Sequence, residues 1–214
     1  MIISQVMTRN PFFVHPDMSI NDLRSAMTRE KVGHIPVLDK SNKLMGIVTK
    51  EDLFKAAPSA ATSLDVFEIS YLLSKITVKE VMVKKVITVD EKEVVEEAAR
   101  IMADNKIGCL PVMRGKLLAG IITDTDLFRI FVTAFGARRP GVRMTCKIAE
   151  KPGQMAKLTR LIAEEGGNIV SIITFEGDDL SYSRVTMKTD GIKREKLKSI
   201  VKSLPEIELE DIRE

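Results

Sequence analysis

The sequence predicts an α+β protein with three parts: two similar modules packed about a pseudo-twofold axis, and a smaller ferredoxin-like βαββαβ domain. A short β-branched strand followed at once by Thr-x-x-Asp occurs twice, at 46–54 and 120–128. Other motifs repeat at a constant spacing, since Gly33 and Gly108 stand 75 residues apart, as do Pro36 and Pro111. From residue 142 the hydrophobic rhythm changes to strict alternation, which indicates a different kind of domain.

Composition favours a soluble globular protein, with 44% hydrophobic and 29% charged residues. The 33 basic and 30 acidic residues are interleaved, which argues against nucleic-acid binding. The first residues lack a basic segment before an apolar one, and no apolar stretch is long enough to span a membrane, so we expect a cytoplasmic protein with no membrane partner. Cys109 and Cys146 lack metal-ligand spacing, so we expect two buried thiols and no metal site.

In the first module, Ser19 is the expected N-cap of a helix whose apolar face carries Ile20, Leu23 and Met27. A hairpin is expected to follow, with strands at 35–38 and 44–48. After a surface loop at 57–62, Ser63 is expected to cap a helix between the modules. The apolar residues of that helix are Leu64, Phe67, Ile69, Leu72 and Leu73.

The second module repeats this order. Asp90 and Glu93 resemble a capping box, which predicts a helix start there. The apolar face of that helix is predicted to carry Val94, Ala98, Ile101 and Met102. A hairpin at 110–113 and 117–122 follows, and the prolines at 36 and 111 predict edge or bulge positions with backbone groups available to a ligand.

The glycines and proline of 136–141 predict a linker. Beyond it, strands near 142–148, 169–175, 182–188 and 207–212 alternate with two amphipathic helices in βαββαβ order. The expected domains are 1–62 for the first module, 63–135 for the connecting helix and second module, 136–141 for the linker, and 142–214 for the last domain.

One face of the last sheet is expected to need a partner. The sequence places Val170 and Ile172 on one face of the second strand, and Ile169, Ile173 and Phe175 on the other. Because the domain's own helices cover only one face, the open face or the sheet edge predicts an isologous homodimer.

The Thr-x-x-Asp junctions carry the candidate chemistry. Where a strand enters a helix, unpaired backbone N–H groups and the helix dipole favour an anion. The Thr hydroxyl suits a phosphate oxygen, and the Asp carboxylate suits a diol such as ribose. The alternative for each copy is an ordinary helix-capping box, in which Asp replaces the usual Glu or Gln.

These motifs resemble a known family. The paired Gly-φ-φ-Thr-x-x-Asp stretches, Val-Met-Thr at 6–8 and Gly-x-φ-Pro-Val in each copy resemble a tandem CBS-domain pair over about residues 1–135. Residues 142–214 resemble an ACT domain, through Glu-Lys-Pro-Gly-Gln at 150–154 and Gly-Asn-Ile at 167–169. The order of the two resembles the bacterial acetoin-utilization proteins.

The resemblance implies an adenosine ligand, with Thr49 and Thr123 at the phosphates and Asp52 and Asp126 at the ribose diol. The adenine slot would be lined by the backbone around Gly33, His34, Ile35, Pro36, Gly108, Cys109, Leu110 and Pro111. An ACT ligand would lie near Gly153, Gln154 and Asn168. The residue chemistry of the junctions agrees with a nucleotide site, because each junction offers a helix start for an anion and a carboxylate for two hydroxyls.

The leading hypothesis is a non-catalytic regulatory sensor of an adenosine nucleotide such as AMP, ADP or ATP, acting on an unidentified partner protein and requiring no cofactor. Its alternatives are an oligomerisation scaffold with degenerate clefts, and an enzyme, for which the sequence offers no catalytic constellation. His15 and His34 are interpreted as packing residues. Arg9, Lys84 and Lys85 are interpreted as a solvated face, although they stand where they could reach phosphates.

Overall fold

The computed structural model describes residues 1–56, 65–177 and 180–214. These residues form two compact units, Met1–Leu127 and Phe128–Glu214. The first unit contains both modules as far as Leu127, and the second contains the rest of the second module's last helix and a four-stranded sheet with two helices. The predicted α+β class is confirmed. None of the described helices is both long and apolar enough to cross a membrane.

The first module begins its main helix where the sequence predicts. The elements up to residue 81 are β1 (Thr8–Arg9), α1 (Ile20–Glu30), β2 (His34–Leu38), β3 (Leu44–Thr49), α2 (Lys50–Ala56), α3 (Val66–Lys75) and α4 (Val78–Val81). The Ser19 hydroxyl accepts the N–H of Asp22 at 3.1 Å and so caps α1. The predicted apolar face is confirmed, since Ile20, Leu23 and Met27 are all buried.

The helix between the modules differs from the prediction. Residues 57–62, Ser63 and Leu64 lie outside the described residues, and the N-cap of α3 is Asp65. Asp65 accepts the N–H of Glu68 at 2.8 Å, and Glu68 accepts the N–H of Asp65 in return. Phe67 was expected to be on the packing face but is exposed, because α3 packs through Leu73 in the core of the first module.

The second module repeats these elements, with one wrong prediction. They are β4 (Val89–Asp90), α5 (Val95–Asn105), β5 (Cys109–Arg114), β6 (Leu117–Thr123) and α6 (Asp124–Ala134). Asp90 and Glu93 do not start α5: Asp90 ends β4 and accepts the N–H of Lys92, while Glu93 accepts the N–H of Val94. Val94 is the N-cap and is exposed, so Val95 takes its predicted place in the core. Val94 follows Ser19 by 75 residues, which is the repeat spacing, and both residues are N-caps.

The modules exchange their leading segments. Strand β1 pairs antiparallel with β6 of the second module, through Thr8 and Ile121. The corresponding segment after α4 pairs with β3 of the first module, where Ile47 and Val83 exchange two backbone hydrogen bonds of 3.1 and 2.9 Å. The two pairings are equivalent, as the predicted pseudo-twofold relation requires. In each module, a strand pairs with the segment that precedes the main helix of the other module.

The repeated prolines lie where their missing N–H costs no ladder bond. Pro111 pairs with Ile121 of β6, and the parallel pairing of β5 with β4 begins only at Val112. The expectation of available backbone is wrong at Pro36, because its carbonyl accepts the N–H of Val14 at 3.1 Å.

The second unit has the predicted βαββαβ order. Its elements are β7 (Val142–Ala149), α7 (Gln154–Glu164), β8 (Asn168–Glu176), β9 (Tyr182–Asp190), α8 (Arg194–Lys202) and β10 (Ile207–Arg213). The sheet order is β10-β7-β9-β8 with all neighbours antiparallel. Both helices pack on the same sheet face, around a core that includes Met144, Leu158 and Leu197.

A bulge in β8 changes the predicted faces. The pairing of β8 with β9 shifts between Ile169 and Ser171, so Val170 is the extra residue. Ile169 therefore faces the helices together with Ile172, whereas Ile173 and Phe175 face the opposite side.

That opposite face is mostly polar, which corrects the expectation of two apolar faces. It carries the ion pairs Arg143–Asp211 and Arg184–Glu210, at 2.9 and 2.7 Å. The residues that follow α6 also lie over it: the Phe135 carbonyl accepts the Ser171 hydroxyl at 3.2 Å, and the Phe135 and Phe175 ring centroids are 6.3 Å apart.

Candidate functional site

Both Thr-x-x-Asp junctions form helix-capping boxes. Asp52 Oδ2 accepts the N–H and the hydroxyl of Thr49, each at 2.8 Å, and the Asp52 N–H donates back at 3.3 Å. Asp126 Oδ2 receives the N–H and hydroxyl of Thr123 at 3.0 and 2.8 Å. The capping alternative is therefore realised in both copies, and in each the threonine is bonded to one carboxylate oxygen, Oδ2.

A cavity of about 420 Å³ beside the first junction is lined by residues of both modules. Of the predicted site residues, the first module contributes Gly33, His34, Thr49 and Asp52. The second module contributes Gly108, Cys109 and Pro111. The structure thus brings seven residues from the two halves of the repeat to one cavity, which we call the module cavity.

The other predicted nucleotide-site residues do not line it. The side chains of Ile35 and Leu110 are fully buried in the core, so only their backbone could meet a ligand. Pro36 is also buried. Thr123 and Asp126 lie at the second junction, where the Asp126 side chain is only 7% exposed.

Four lysines make the module cavity basic. Lys50, Lys55, Lys85 and Lys106 line it, against the carboxylates of Glu51 and Asp52. Lys55 is paired with Glu51 at 2.9 Å, and the hydrogen bond to Glu51 raises the pKa of Lys55.

Sequence reasoning missed Lys55 and Lys106, and it interpreted Lys85 as a solvated face. Lys31 and Lys106 occupy corresponding positions of the repeat, and both end a helix in the left-handed conformation, with φ of 55° and 54°. That conformation fixes the backbone from which each side chain leaves its helix.

His34 lines the module cavity next to Gly108. A Cβ built on Gly108 would be 3.4 Å from His34 Nε2 and 3.3 Å from Asp124 Oδ2, so the three residues are close neighbours. Burial lowers the pKa of His34, opposed by the negative charges of Asp124 and Asp52. A neutral imidazole both donates and accepts a hydrogen bond, and its flat face suits a heterocycle. His15, in contrast, is exposed, and its Nδ1 bonds the Leu38 carbonyl at 2.9 Å.

The cysteines are buried thiols, as predicted. Both are unpaired with any other cysteine, and burial raises the pKa of Cys109 and of Cys146 to about 12. Each thiol is therefore protonated at neutral pH and is a poor nucleophile. Among the described residues no group of three or more metal-ligating side chains comes together.

The three residues of the predicted ACT-ligand site are not brought together within one chain. Gly153, with φ 86°, and the buried Gln154 begin α7, whereas Asn168 follows its other end and pairs with Asp190. The 11 residues of α7 separate the two places by roughly 16 Å. A ligand held between them would need a second chain or a different set of residues.

Comparison with known proteins identifies both parts of the chain. The CBS domain family model matches residues 3–59 and 78–133, and the model of the AHAS small subunit-like ACT domain matches residues 146–210. Together the two CBS matches span more than half of the 214 residues.

Several solved structures resemble the CBS part. A Vibrio cholerae protein described as an acetoin utilization protein (AcuB) is 32% identical, with a TM-score of 0.53 over 64% of this chain and 95% of that one. The CBS domain pair of protein MJ0100, solved with 5-methylthioadenosine and S-adenosyl-L-methionine, is 26% identical, with a TM-score of 0.52 over 65% of this chain and 98% of that one. CBSX2 in complex with AMP is 28% identical, with a TM-score of 0.51 over 64% and 98%.

Curated relatives share the same part. L-aspartate semialdehyde sulfurtransferase of Methanocaldococcus jannaschii is 28% identical and homoserine O-acetyltransferase of Methanosarcina acetivorans is 32% identical, each over 131 residues, or 61% of this chain. The match spans 23% and 22% of those proteins, so this chain covers less than a quarter of their length. The chain belongs to the CBS-domain family, as a tandem CBS pair followed by an ACT-like domain.

Proposed function

We propose that this chain is a regulatory sensor that binds an adenosine nucleotide in the module cavity. The observation that carries the proposal is the convergence of Asp52, His34, two glycines and four lysines on one cavity of about 420 Å³. That volume lies within the usual range for small-molecule sites.

Each part of a nucleotide has a partner there. Asp52 Oδ1 can accept two hydroxyl donors of a ribose, since Oδ2 is already used by Thr49. Lys50, Lys85 and Lys106 supply positive charge for phosphates. The adenine ring fits against His34, where the side-chain-free Gly108 permits close approach.

The solved relatives support the ligand class. Two CBS structures of 26% and 28% identity were obtained with adenosine compounds, namely 5-methylthioadenosine with S-adenosyl-L-methionine, and AMP. The similarity to the Vibrio cholerae protein favours a role in acetoin utilization as the context of the sensor. An amino acid or other small molecule at the ACT-like domain, near Gly153 and Gln154, is the further ligand that the domain type suggests.

The alternative is an enzyme, as the names of the curated relatives suggest. The matched part is less than a quarter of each of those proteins. A thiol with a pKa near 12, as at Cys109, also suits sulfur transfer poorly. These two observations favour regulation over catalysis. A scaffold with degenerate clefts is the other alternative, and it predicts no ligand binding.

A thermal-shift panel of AMP, ADP, ATP, NADH and S-adenosylmethionine tests the proposal, because a ligand that binds only the native state raises the melting temperature. Calorimetry should then show that Asp52→Ala weakens binding of the best ligand by about 1 to 3 kcal/mol, the range for hydrogen bonds to a charged group.

Glu80→Ala is the matched control. Glu80 Oε1 accepts the N–H and hydroxyl of Thr77, each at 2.8 Å, in the same kind of capping box, but outside the cavity. Equal loss of affinity in the two variants would assign the Asp52 effect to capping. No shift with any compound would favour the scaffold.

The assembly and location of the chain also belong to this proposal. We propose a cytoplasmic homodimer, for which the exposed Phe175, on the sheet face opposite the two helices, remains the argument. Light scattering at micromolar concentration decides the assembly: a mass of twice 23.9 kDa supports a dimer, and 23.9 kDa contradicts it.

A further inference from the structure

A second cavity, of about 450 Å³, lies in the first unit at the tips of the two hairpins. Its walls come from the β2–β3 turn, the β5–β6 turn and the segment at 84–88. We call it the turn cavity. Val86 is the one residue that lines both this cavity and the module cavity, so the two are neighbours with otherwise different walls.

The charges of the turn cavity all have one sign. Lys43, Lys84 and Lys116 line it, one from each of the three walls, and its lining includes no carboxylate. Like charges that line one cavity repel one another, and a bound multivalent anion would relieve that repulsion. The module cavity differs in this respect, because two carboxylates accompany its lysines.

The nearest carboxylate on the β2–β3 turn, that of Asp39, is engaged in holding the turn itself. Asp39 Oδ1 accepts the Ser41 N–H at 2.8 Å, the Ser41 hydroxyl at 2.6 Å and the Lys43 N–H at 2.9 Å. These bonds fix the backbone from which the Lys43 side chain extends. Asp39 does not line the cavity. Ser41, Asn42 and Thr88 add hydroxyl and amide groups to the lining.

The rest of the cavity wall is apolar. It consists of Leu44, Met45, Val86, Met113 and Leu117. An inorganic ion would leave this surface in contact with water, whereas an organic body attached to the anion would cover it.

From these observations we infer that the turn cavity binds a phosphorylated small organic molecule, with its phosphate at Lys43, Lys84 and Lys116 and its apolar body against the Leu, Met and Val side chains. The inference stands independently of the proposed nucleotide site, because only Val86 is shared.

Calorimetric titration of the full chain at low ionic strength tests it with two probes, phenyl phosphate and inorganic phosphate. Both are close to dianions at slightly alkaline pH, so their difference reports the apolar wall. We expect phenyl phosphate to bind at least about tenfold more tightly, given the area that a buried ring removes from water. Equal affinities would overturn the assignment of an organic ligand.

Lysine variants locate the binding. Lys84→Gln, Lys43→Gln and Lys116→Gln should each weaken phenyl phosphate by about tenfold, as for loss of one charged hydrogen bond. Lys40→Gln, on the same turn but outside the lining, removes the same charge and should change affinity less than about twofold.

Two results would contradict the inference. One is an equal loss in Lys40→Gln, which would indicate a general charge effect. The other is a loss in Lys106→Gln without one in the three lysine variants, which would place the probe in the module cavity. Because all three lysines are exposed, we expect the variants to fold, and a melting curve of each checks this.

Discussion

Gly120 of the second module lies directly against Met7, which precedes β1. A Cβ at Gly120 would be 2.6 Å from Met7 Sδ and 2.8 Å from the Thr8 carbonyl oxygen. The equivalent glycine of the first module makes the same contact, since a Cβ at Gly46 would be 2.6 Å from Met82 Sδ and 2.9 Å from the Val83 carbonyl oxygen. The glycine of each motif is thus required by the exchanged segment that crosses it.

Gly120→Ala should therefore lower the free energy of unfolding by about 1 to 3 kcal/mol, the usual cost of overpacking, because a backbone carbonyl cannot move aside as a side chain can. Gly46→Ala should cost a similar amount. Urea denaturation measures both.

The control is Gly33→Ala, where the added Cβ would meet only Lys50 Cδ at 3.9 Å. It should leave stability nearly unchanged. An equal loss at Gly33 and Gly120 would show that the close contact is not the cause.

Lys50 and Asp124 occupy corresponding positions in the two modules, and they give the two junctions opposite charge. Lys50→Asp should weaken ATP more than AMP at the module cavity, because the added phosphates carry more negative charge. We expect the ratio of ATP to AMP affinity to fall by about tenfold at low salt. Competition titrations measure the ratio.

Lys79→Asp makes the same change of charge on α4, outside the cavity lining. It should leave the ratio within about twofold. A ratio that is unchanged in Lys50→Asp would contradict a role for Lys50 at the phosphates.

Thr145 and Thr186 form a buried hydroxyl pair at 3.0 Å on the sheet of the second unit. Thr186→Val should lower the free energy of unfolding by about 1 to 3 kcal/mol, because it leaves the buried Thr145 hydroxyl without its partner. The double change to Val at both positions should recover most of that loss. If the double variant were as unstable as the sum of the two single variants, the hydroxyl pair would not be the source of the cost.

His34 should make stability depend on pH. Because burial lowers its pKa below the usual 6.5, the unfolded chain takes up a proton at pH values where the folded chain has not. Protonation then favours unfolding, so stability should fall as the pH drops below about 6.5. Asp124 and Asp52 reduce the effect, and Lys50 adds to it. His34→Gln should have a flatter profile in denaturant titrations, and identical profiles would exclude His34 as the origin.

The predictable parts of this fold depended on local patterns. The Ser19 cap, both hairpins and the βαββαβ order follow from side-chain chemistry and periodicity within single elements. The wrong predictions concern residues whose role depends on pairing with strands that are distant in the sequence. Val170 looks like any strand residue until β9 fixes the bulge, and Asp90 looks like a helix cap until β5 takes it into a strand.

The candidate site shows the same limit. The repeat places a Thr-x-x-Asp junction in each module, and the cavity beside the first junction is lined by residues of both modules. Lys106 ends a helix of the second module and lines the cavity beside Asp52 of the first, a proximity that follows from packing and has no local sequence signal. Ile35 and Leu110 were expected to line the adenine slot through their backbone, and because a strand alternates its faces, their side chains are buried in the core.

A crystal structure of this chain grown with saturating AMP tests the central claim most directly. We expect the nucleotide in the module cavity, with its ribose hydroxyls within hydrogen-bonding distance of Asp52 Oδ1 and its phosphate near Lys50, Lys85 or Lys106. AMP bound only elsewhere, or an empty module cavity at a concentration that saturates the protein in solution, would contradict the proposed site.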